Sequence, residues 1–370
     1  SISSNISSIS NCGLLLERVI DMARVVPDDK YCGLPLINQY AKNIKELDIF
    51  EKNNISEEDM ISVAKEAEEG ALSIKGIKNS EGASRSWSKN KITLFSSLGF
   101  HQNYSRTSNS LSVIAIAGEG VNMERDYEYT VATYSKDLMN PKNVGENAAK
   151  MAVSRLNPKK VNSCKLNVVF SPRAGRSILS TFAGAINGNS IARGTSFLRK
   201  KMNHNIFNKE VSIINDPHIL RGLRSKPFDE EGVENNKILL VKNGNLDNWM
   251  LDTRSARQLD LSSQGNPSPT NLYMQNGKKS SKEIISNIKK GLYVTEMMGM
   301  SFNPVNGDYS RGASGFWIEN GEICYPVSEV TIAGNLNDMF ANLRVADDLQ
   351  FRYGTDAPTV CVEGMTVAGR

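Results

Sequence analysis

The chain has 370 residues, 39% of them hydrophobic and 23% charged, the make-up of an ordinary soluble globular protein with room for about two domains. Its 44 basic and 40 acidic side chains leave a net charge of +4, too small and too scattered for the basic stripe of a nucleic-acid binder. The longest apolar run, over 113–117, is far short of the roughly 20 residues of a membrane helix, and five scattered cysteines without metal-ligand spacing read as reduced thiols of a cytoplasmic protein.

Residues 1–10, SISSNISSIS, carry isoleucines at 2, 6 and 9 but neither the basic start nor the apolar core of a signal peptide. They read as a flexible tail or the torn edge of a sheet, and a start on Ser1 rather than methionine reads as a truncated N-terminal domain. A helix follows, with Leu15, Val19 and Met22 on one face, ending before Pro27. After an irregular polar stretch over 31–54, Ser56-Glu57-Glu58-Asp59 is a capping signature opening a second helix, with Met60, Ala64 and Ala67 inward and Gly70 as its stop. Alternation predicts strands over 91–97, 111–117 and 127–134. Asn140-Pro141 then opens a helix with the stripe Val144, Ala148, Met151 and Ala152. The break at Asn157-Pro158-Lys159-Lys160 sets a domain boundary. The expected class is α+β, with an N-terminal helix-and-sheet domain over 1–158 and a larger, hairpin-rich, mixed-sheet domain with helices over 159–370.

The second domain begins with a strand over 166–170. Residues 176–192 suit a helix whose apolar face is Ile178, Leu179, Phe182 and Ile186. Further strands are expected over 211–215 and in a hairpin of 238–241 with 246–251 around Asn243-Gly244. A long loop covers 262–277, a helix capped by Ser280 and Glu283 comes next, and a strand runs over 292–298. Then comes NGDYSRGASGFWIENGEICYPVSEVTIAGNLNDMFANL over 306–343. Asn320-Gly321 between alternating runs predicts a type I′ hairpin. It would pair Ile318 with Ile323 and Phe316 with Tyr325 on one face, and put Trp317 and Cys324 with Glu319 and Glu322 on the other. Asn335 is placed to cap a helix with Leu336, Met339, Phe340 and Leu343 on one face.

Gly307, Gly312 and Gly315 crowd around Asp308, Arg311 and Ser314. One reading is a grip for an extended peptide: open backbone for strand addition, Asp308 and Arg311 for charge-assisted contacts, and Phe316 and Trp317 for burial. The other is a tight packing corner or a subunit interface. Ser314 lacks the spacing of a nucleophile elbow and a histidine to activate it. Glu319 and Glu322 beside the turn read as a solvated, mildly repelling pair. His218, after Asp216-Pro217, reads as a turn histidine held by a neighbouring carboxylate, and His204 as an exposed loop residue.

The run GDYSRGASGFWIENGEI-YPVSE-TIAGNL-DM resembles the signature of the TldD/PmbA family, specifically its PmbA (TldE) branch, and the similarity extends over 161–370 with a weaker echo upstream. The resemblance implies a cytosolic metalloprotease complex that acts on unfolded or short peptides. In the TldD branch the metal helix reads HExxxH, which by resemblance falls on Leu179-Ser180-Thr181-Phe182-Ala183-Gly184, anchored by the following Arg193-Gly194-Thr195-Ser196. Leu179 and Gly184 then stand where imidazoles belong, and Ser180 where the general base belongs. Cys361 lies where that branch takes a cysteine ligand, but His101, His204 and His218 are scattered, whereas catalytic zinc wants three protein ligands.

No catalytic residue, metal site or cofactor is therefore expected in this chain, and zinc is expected in a TldD-like partner. The partners expected are that subunit, in a heterodimer, and a peptide, with a homodimer as the option for the chain alone. No nucleic acid and no membrane is expected. The alternative is a non-proteolytic binding or regulatory protein, in line with the family's older description as a modulator of DNA gyrase.

Overall fold

The computed structural model describes residues 2–5, 12–299 and 302–369, so most of the serine-rich start lies outside the described residues. The chain divides into two compact units, Ser1–Gly33 and Leu34–Arg370. The first contains helix α1 (Cys12–Val25), where the spacing of Leu15, Val19 and Met22 predicts it.

In the second unit Ser56 caps α2 (Glu57–Leu72), its hydroxyl accepting the Asp59 amide at 3.0 Å. Gly70 is not the stop. The helix continues to Leu72, and Gly70 instead admits the next helix, because a Cβ there would lie 2.7 Å from the Lys142 carbonyl. A three-stranded antiparallel sheet follows: β1 (Ile77–Phe95), β2 (His101–Ala117) and β3 (Glu124–Ala132). On β2, Leu111, Val113, Ala115 and Ala117 are fully buried together with Val144, Ala148 and Ala152 of α3 (Pro141–Ser154). β1 and β2 run well past the alternating segments. Ser84, Ser86 and Ser88 face Ser112, Ser110 and Ser108 across the ladder, and backbone hydrogen bonds of this kind leave no mark in hydropathy.

β4 (Cys164–Phe170) leads into α4 (Pro172–Ala185) and α5 (Gly188–Ala192). A small sheet is then built from β5 (Ile213–Asp216), β6 (Ile238–Lys242), β7 (Asn245–Leu246), β8 (Asn271–Met274) and the later β13 (Thr355–Asp356), in the order β13-β8-β5-β6-β7. Two expectations fail here. The return strand β7 has two residues rather than six, and it gives way to α6 (Thr253–Gln258). The stretch 262–277 is not all loop, because β8 sits inside it, paired on both edges. Four residues among prolines, serines and asparagines hold too few periods to be read from pattern.

α7 (Ser281–Ser286) carries the reciprocal Ser280–Glu283 capping box. The main sheet then completes itself with β9 (Lys290–Met298), β10 (Asp308–Glu319), β11 (Glu322–Asn335), β12 (Leu343–Val345) and β14 (Val360–Ala368), while α8 (Leu336–Ala341) follows β11. Its order is β11-β10-β9-β4-β14-β12, with β4 and β9 parallel. A second pairing of β14, through Thr366 to Ala368 on Ala333 to Thr331 of β11, closes the sheet into a barrel.

The hairpin between β10 and β11 turns as its sequence predicts. Asn320 and Gly321 have φ of 51° and 84°, and Ile318 faces Ile323. An irregularity between Phe316 and Ile318 alters the rest: Phe316 faces Pro326 rather than Tyr325, and Trp317 stacks on Tyr325 with ring centroids 6.4 Å apart. The chain is thus α+β with a mixed, hairpin-rich main sheet, as expected. Among the described residues no helix is long and apolar enough to cross a membrane.

Candidate functional site

Ser171-Pro172 fixes where α4 begins. The Ser171 hydroxyl accepts the Ala174 amide, and Pro172 occupies the first helical position, where a missing N–H costs nothing. Ile178, Leu179, Phe182 and Ala185 are buried on the core side, with Phe182 edge-on to Phe207 at 5.4 Å. Ser177, Ser180, Thr181 and Gly184 line a cleft of about 600 Å³, within the size range of small-ligand sites. The three hydroxyls donate to their own helix: Ser177 to the Ala174 carbonyl, Ser180 to that of Arg176 and Thr181 to that of Ser177, at 2.9–3.0 Å. Each oxygen keeps its acceptor capacity.

The other walls come from distant parts of the chain. β3 supplies Tyr127 and Tyr129, β9 supplies Thr295, Glu296 and Met297, and β10 supplies Tyr309 and Arg311, while Arg173 and Arg176 reach in from α4. Arg173 donates to Asp126 at 2.8 Å and to the Thr295 carbonyl at 3.2 Å, with its guanidinium 4.5 Å from the Tyr127 ring centre. Arg155 takes the second Asp126 oxygen at 3.3 Å and also binds Glu296. Burial by itself lowers the pKa of both guanidinium groups. The hydrogen bonds and charges of Glu296 and Asp126 outweigh it and hold Arg155 and Arg173 above their ordinary value.

Arg176 donates to the Tyr129 hydroxyl and lies over the Tyr353 ring at 4.5 Å. Tyr309, 3% exposed, points its hydroxyl at the Met297 sulfur at 3.4 Å, with the Arg311 charge near it. Burial raises the phenol pKa of Tyr129 and Tyr309 despite the adjacent arginines.

Of the residues marked in the glycine-rich run, Arg311 lines this cleft. Asp308 instead accepts the Asn306 and Asn335 side-chain amides at 2.7 and 3.0 Å and pins the entry to β10. Ser314 and Trp317 are buried, at 4% and 8% exposure, and Phe316 is half-buried. β10 pairs with β11 on one edge and, over Gly312 to Glu319, with β9 on the other, so among the described residues that stretch has no open ladder for an added strand. The glycines serve a close approach inside the sheet: a Cβ on Gly315 would lie 1.9 Å from the Tyr293 carbonyl. On α4, Leu179 is fully buried, while Ser180 and Gly184, one turn apart, share the cleft face.

A catalytic metal does not fit this donor set. The cleft offers, among the described residues, hydroxyls, phenols, three guanidinium groups and one carboxylate, Glu296, which Arg155 already holds, whereas zinc takes imidazole, thiolate or free carboxylate. Among the described residues no three His, Cys, Asp or Glu side chains form a group that could hold a metal ion. Cys361 lies in a separate apolar cluster with Ile284, Ile285, Ile288 and Ile318, where burial pushes its thiol up to about 12. The His218 ring meets Asn235 Oδ1 at 2.8 Å and the Lys45 ammonium at 3.0 Å, and Asp216 accepts only its backbone amide. The ring is therefore not carboxylate-held, and burial lowers its pKa. His204 is exposed, with Nδ1 2.8 Å from the Met202 carbonyl.

A closed mixed barrel with an arginine-lined cleft on its first helix, joined to a long-hairpin sheet backed by two helices, defines an α+β protein of the PmbA and TldD class. Residues 50–156 match the central domain and residues 163–369 the C-terminal domain of the PmbA/TldA metallopeptidases, and the chain belongs to that family. It is 37% identical to the metalloprotease PmbA of Escherichia coli O157:H7, over 96% of this chain and 80% of that one. It is similar to the crystal structure of a proposed modulator of DNA gyrase from Bacteroides thetaiotaomicron, with a TM-score of 0.92 at 28% identity, covering 100% of this chain and 85% of that one. TldE from Thermococcus kodakarensis shares the fold, with a TM-score of 0.85 at 20% identity, over 99% of this chain and 86% of that one.

Proposed function

We propose that this chain is the PmbA/TldE-type subunit of a TldD/TldE peptidase that acts on unfolded or short peptides in the cytoplasm, its TldD-like partner carrying the zinc. The observation behind this reading is the face that α4 turns to the cleft. Where the resemblance sets the metal helix of the TldD branch, this helix presents Ser180 and Gly184 beside Arg173, Arg176 and Arg311. Guanidinium groups repel a cation, and none of these side chains can activate a bound water. This chain's own part is then to position the peptide and to form the partner interface. Zinc analysis of the purified chain should find no stoichiometric metal, and peptide cleavage should begin only when a TldD-like chain is added. Tightly bound zinc, or cleavage by the chain alone that survives repurification, overturns the reading. Light scattering of the isolated chain tells a homodimer from a monomer awaiting its partner.

A non-proteolytic regulatory role is the second reading, supported by the likeness to the proposed gyrase modulator. Tight, salt-sensitive DNA retention in a filter-binding assay would favour a form of it that contacts DNA. The net charge of +4, spread along the sequence, argues against that form.

A further inference from the structure

We infer that the cleft on α4 is a carboxylate-recognition site, in which Arg176 and Arg311 take a peptide carboxylate while Tyr127, Tyr309, Met297 and Phe302, which also lines the cleft, receive the neighbouring apolar side chain. This deepens the peptide-positioning reading and rests on it only in taking the ligand to be a peptide.

The charge distribution carries the inference. Four arginines surround or enter the cleft. Arg155 and Arg173 already have carboxylate partners in Asp126 and Glu296. Arg176 and Arg311 have no carboxylate within ion-pair distance among the described residues, and Glu296, the one carboxylate in the lining, is occupied by Arg155.

Two N–H donors at the cleft, Arg311 Nε and Arg173 Nη2, are buried without an acceptor among the described residues. Donors buried in this way cost free energy until an acceptor arrives. Arg176 is held in place beforehand by the Tyr129 hydroxyl and the Tyr353 ring. Less ordering is therefore left for binding to supply. A carboxylate offers two oxygens to such donors in charge-assisted hydrogen bonds. The hydroxyls of Ser177, Ser180 and Thr181, whose own protons are spent on the helix, remain as acceptors for peptide N–H groups.

The test is fluorescence anisotropy on the whole chain with a dye-labelled hexapeptide of alanine and phenylalanine in three forms: free C-terminal carboxylate, amidated, and amidated with one internal glutamate. At least one carboxylate form should bind about tenfold or more tighter than the neutral amide, and which one does so tells a C-terminus from a side chain. Arg176→Gln and Arg311→Gln should each weaken that form on the order of tenfold. Gly184→Glu is the second route. A Cβ there meets no atom within 4 Å, so the fold is kept while a competing carboxylate enters the cleft, and the preference should vanish. Absence of binding, equal binding of the three forms, or a preference that survives Gly184→Glu or the arginine substitutions overturns the inference. The assay contains no partner chain, so failure to reconstitute cleavage and failure to bind carboxylate are separate results.

Discussion

Arg173 of α4 and Asp126 of β3 form an ion pair of 2.8 Å in which the carboxylate is 3% exposed and the guanidinium 17%. The other Asp126 oxygen lies 3.3 Å from Arg155, itself 12% exposed. One carboxylate thus fastens the three-stranded sheet to the helix that floors the cleft. Asp126→Ala leaves Arg173 buried without a carboxylate, while Arg155 keeps Glu296 and Glu124, a loss of about 3–5 kcal/mol. Urea unfolding should show a lower midpoint at unchanged slope. Adding Arg173→Met to that variant should recover part of the loss, because one fewer buried charge is left unpaired.

α2 and α3 cross where Gly145 meets Ala67. A Cβ on Gly145 would lie 1.9 Å from the Ala67 carbonyl and 2.6 Å from the Ala71 nitrogen. Gly145→Ala should therefore push the helices apart and cost roughly 1–3 kcal/mol or more. Gly184→Ala, on the open face of α4, should do the reverse and stabilise by up to about 1 kcal/mol, since alanine is the better helix former. Thermal unfolding of the two variants should shift in opposite directions. A loss at both sites would mean that the α4 face is packed rather than open.

The parts of this fold legible in the sequence are those fixed by neighbours in the chain. The Ser56 and Ser280 caps, the Asn320-Gly321 turn and the buried stripes of α3 and β2 are each decided within a few residues, by cap geometry, positive φ or side-chain period. The cleft is different. Tyr127, Arg173, Glu296 and Arg311 meet only because the barrel brings β9 and β10 beside α4, and no local spacing records that. A faint signal did exist: Arg173 and Arg176 sit on the otherwise hydroxyl-rich face of an apolar helix, and Tyr127 and Tyr129 alternate onto one side of β3. The glycine-rich run shows the opposite case. Its composition suits open backbone, yet Gly315 is used up by the Tyr293 carbonyl and Ser314 is buried with it.

Thiol reactivity checks the burial assigned to β14. Cys361 is 2% exposed and its thiol is pushed up to about 12 by burial, so almost no thiolate forms at neutral pH. Cys32 and Cys324 are exposed. Ellman's reagent on the native chain should label these two quickly, and Cys361 only after denaturant is added. Mass mapping that finds Cys361 modified at the same rate as Cys324 would mean that β14 opens or is not seated where it pairs with β4.

Asp229 makes stability depend on pH. Its Oδ1 accepts the amides of Val233 at 2.7 Å and Glu231 at 2.9 Å, while Oδ2 is buried without a partner among the described residues. Burial pushes the carboxyl up to about 7, against the pull of those two amides, and Glu230 and Glu231 add repulsion. In the unfolded chain the same group titrates near 3.9. Between about pH 4 and 7 the folded state keeps a proton that the unfolded state releases, so this group's contribution falls as pH rises and settles as a fixed penalty above 7. Asp229→Asn keeps the Oδ1 acceptor and never ionises. The variant should gain on the order of 1–2 kcal/mol over the parent at pH 8 and little or nothing at pH 4. Urea unfolding at pH 4, 6 and 8 reads the difference directly. Parallel curves across that range would mean that the carboxyl stays ionised in the folded chain, and the unpartnered oxygen would then have to be reached by water.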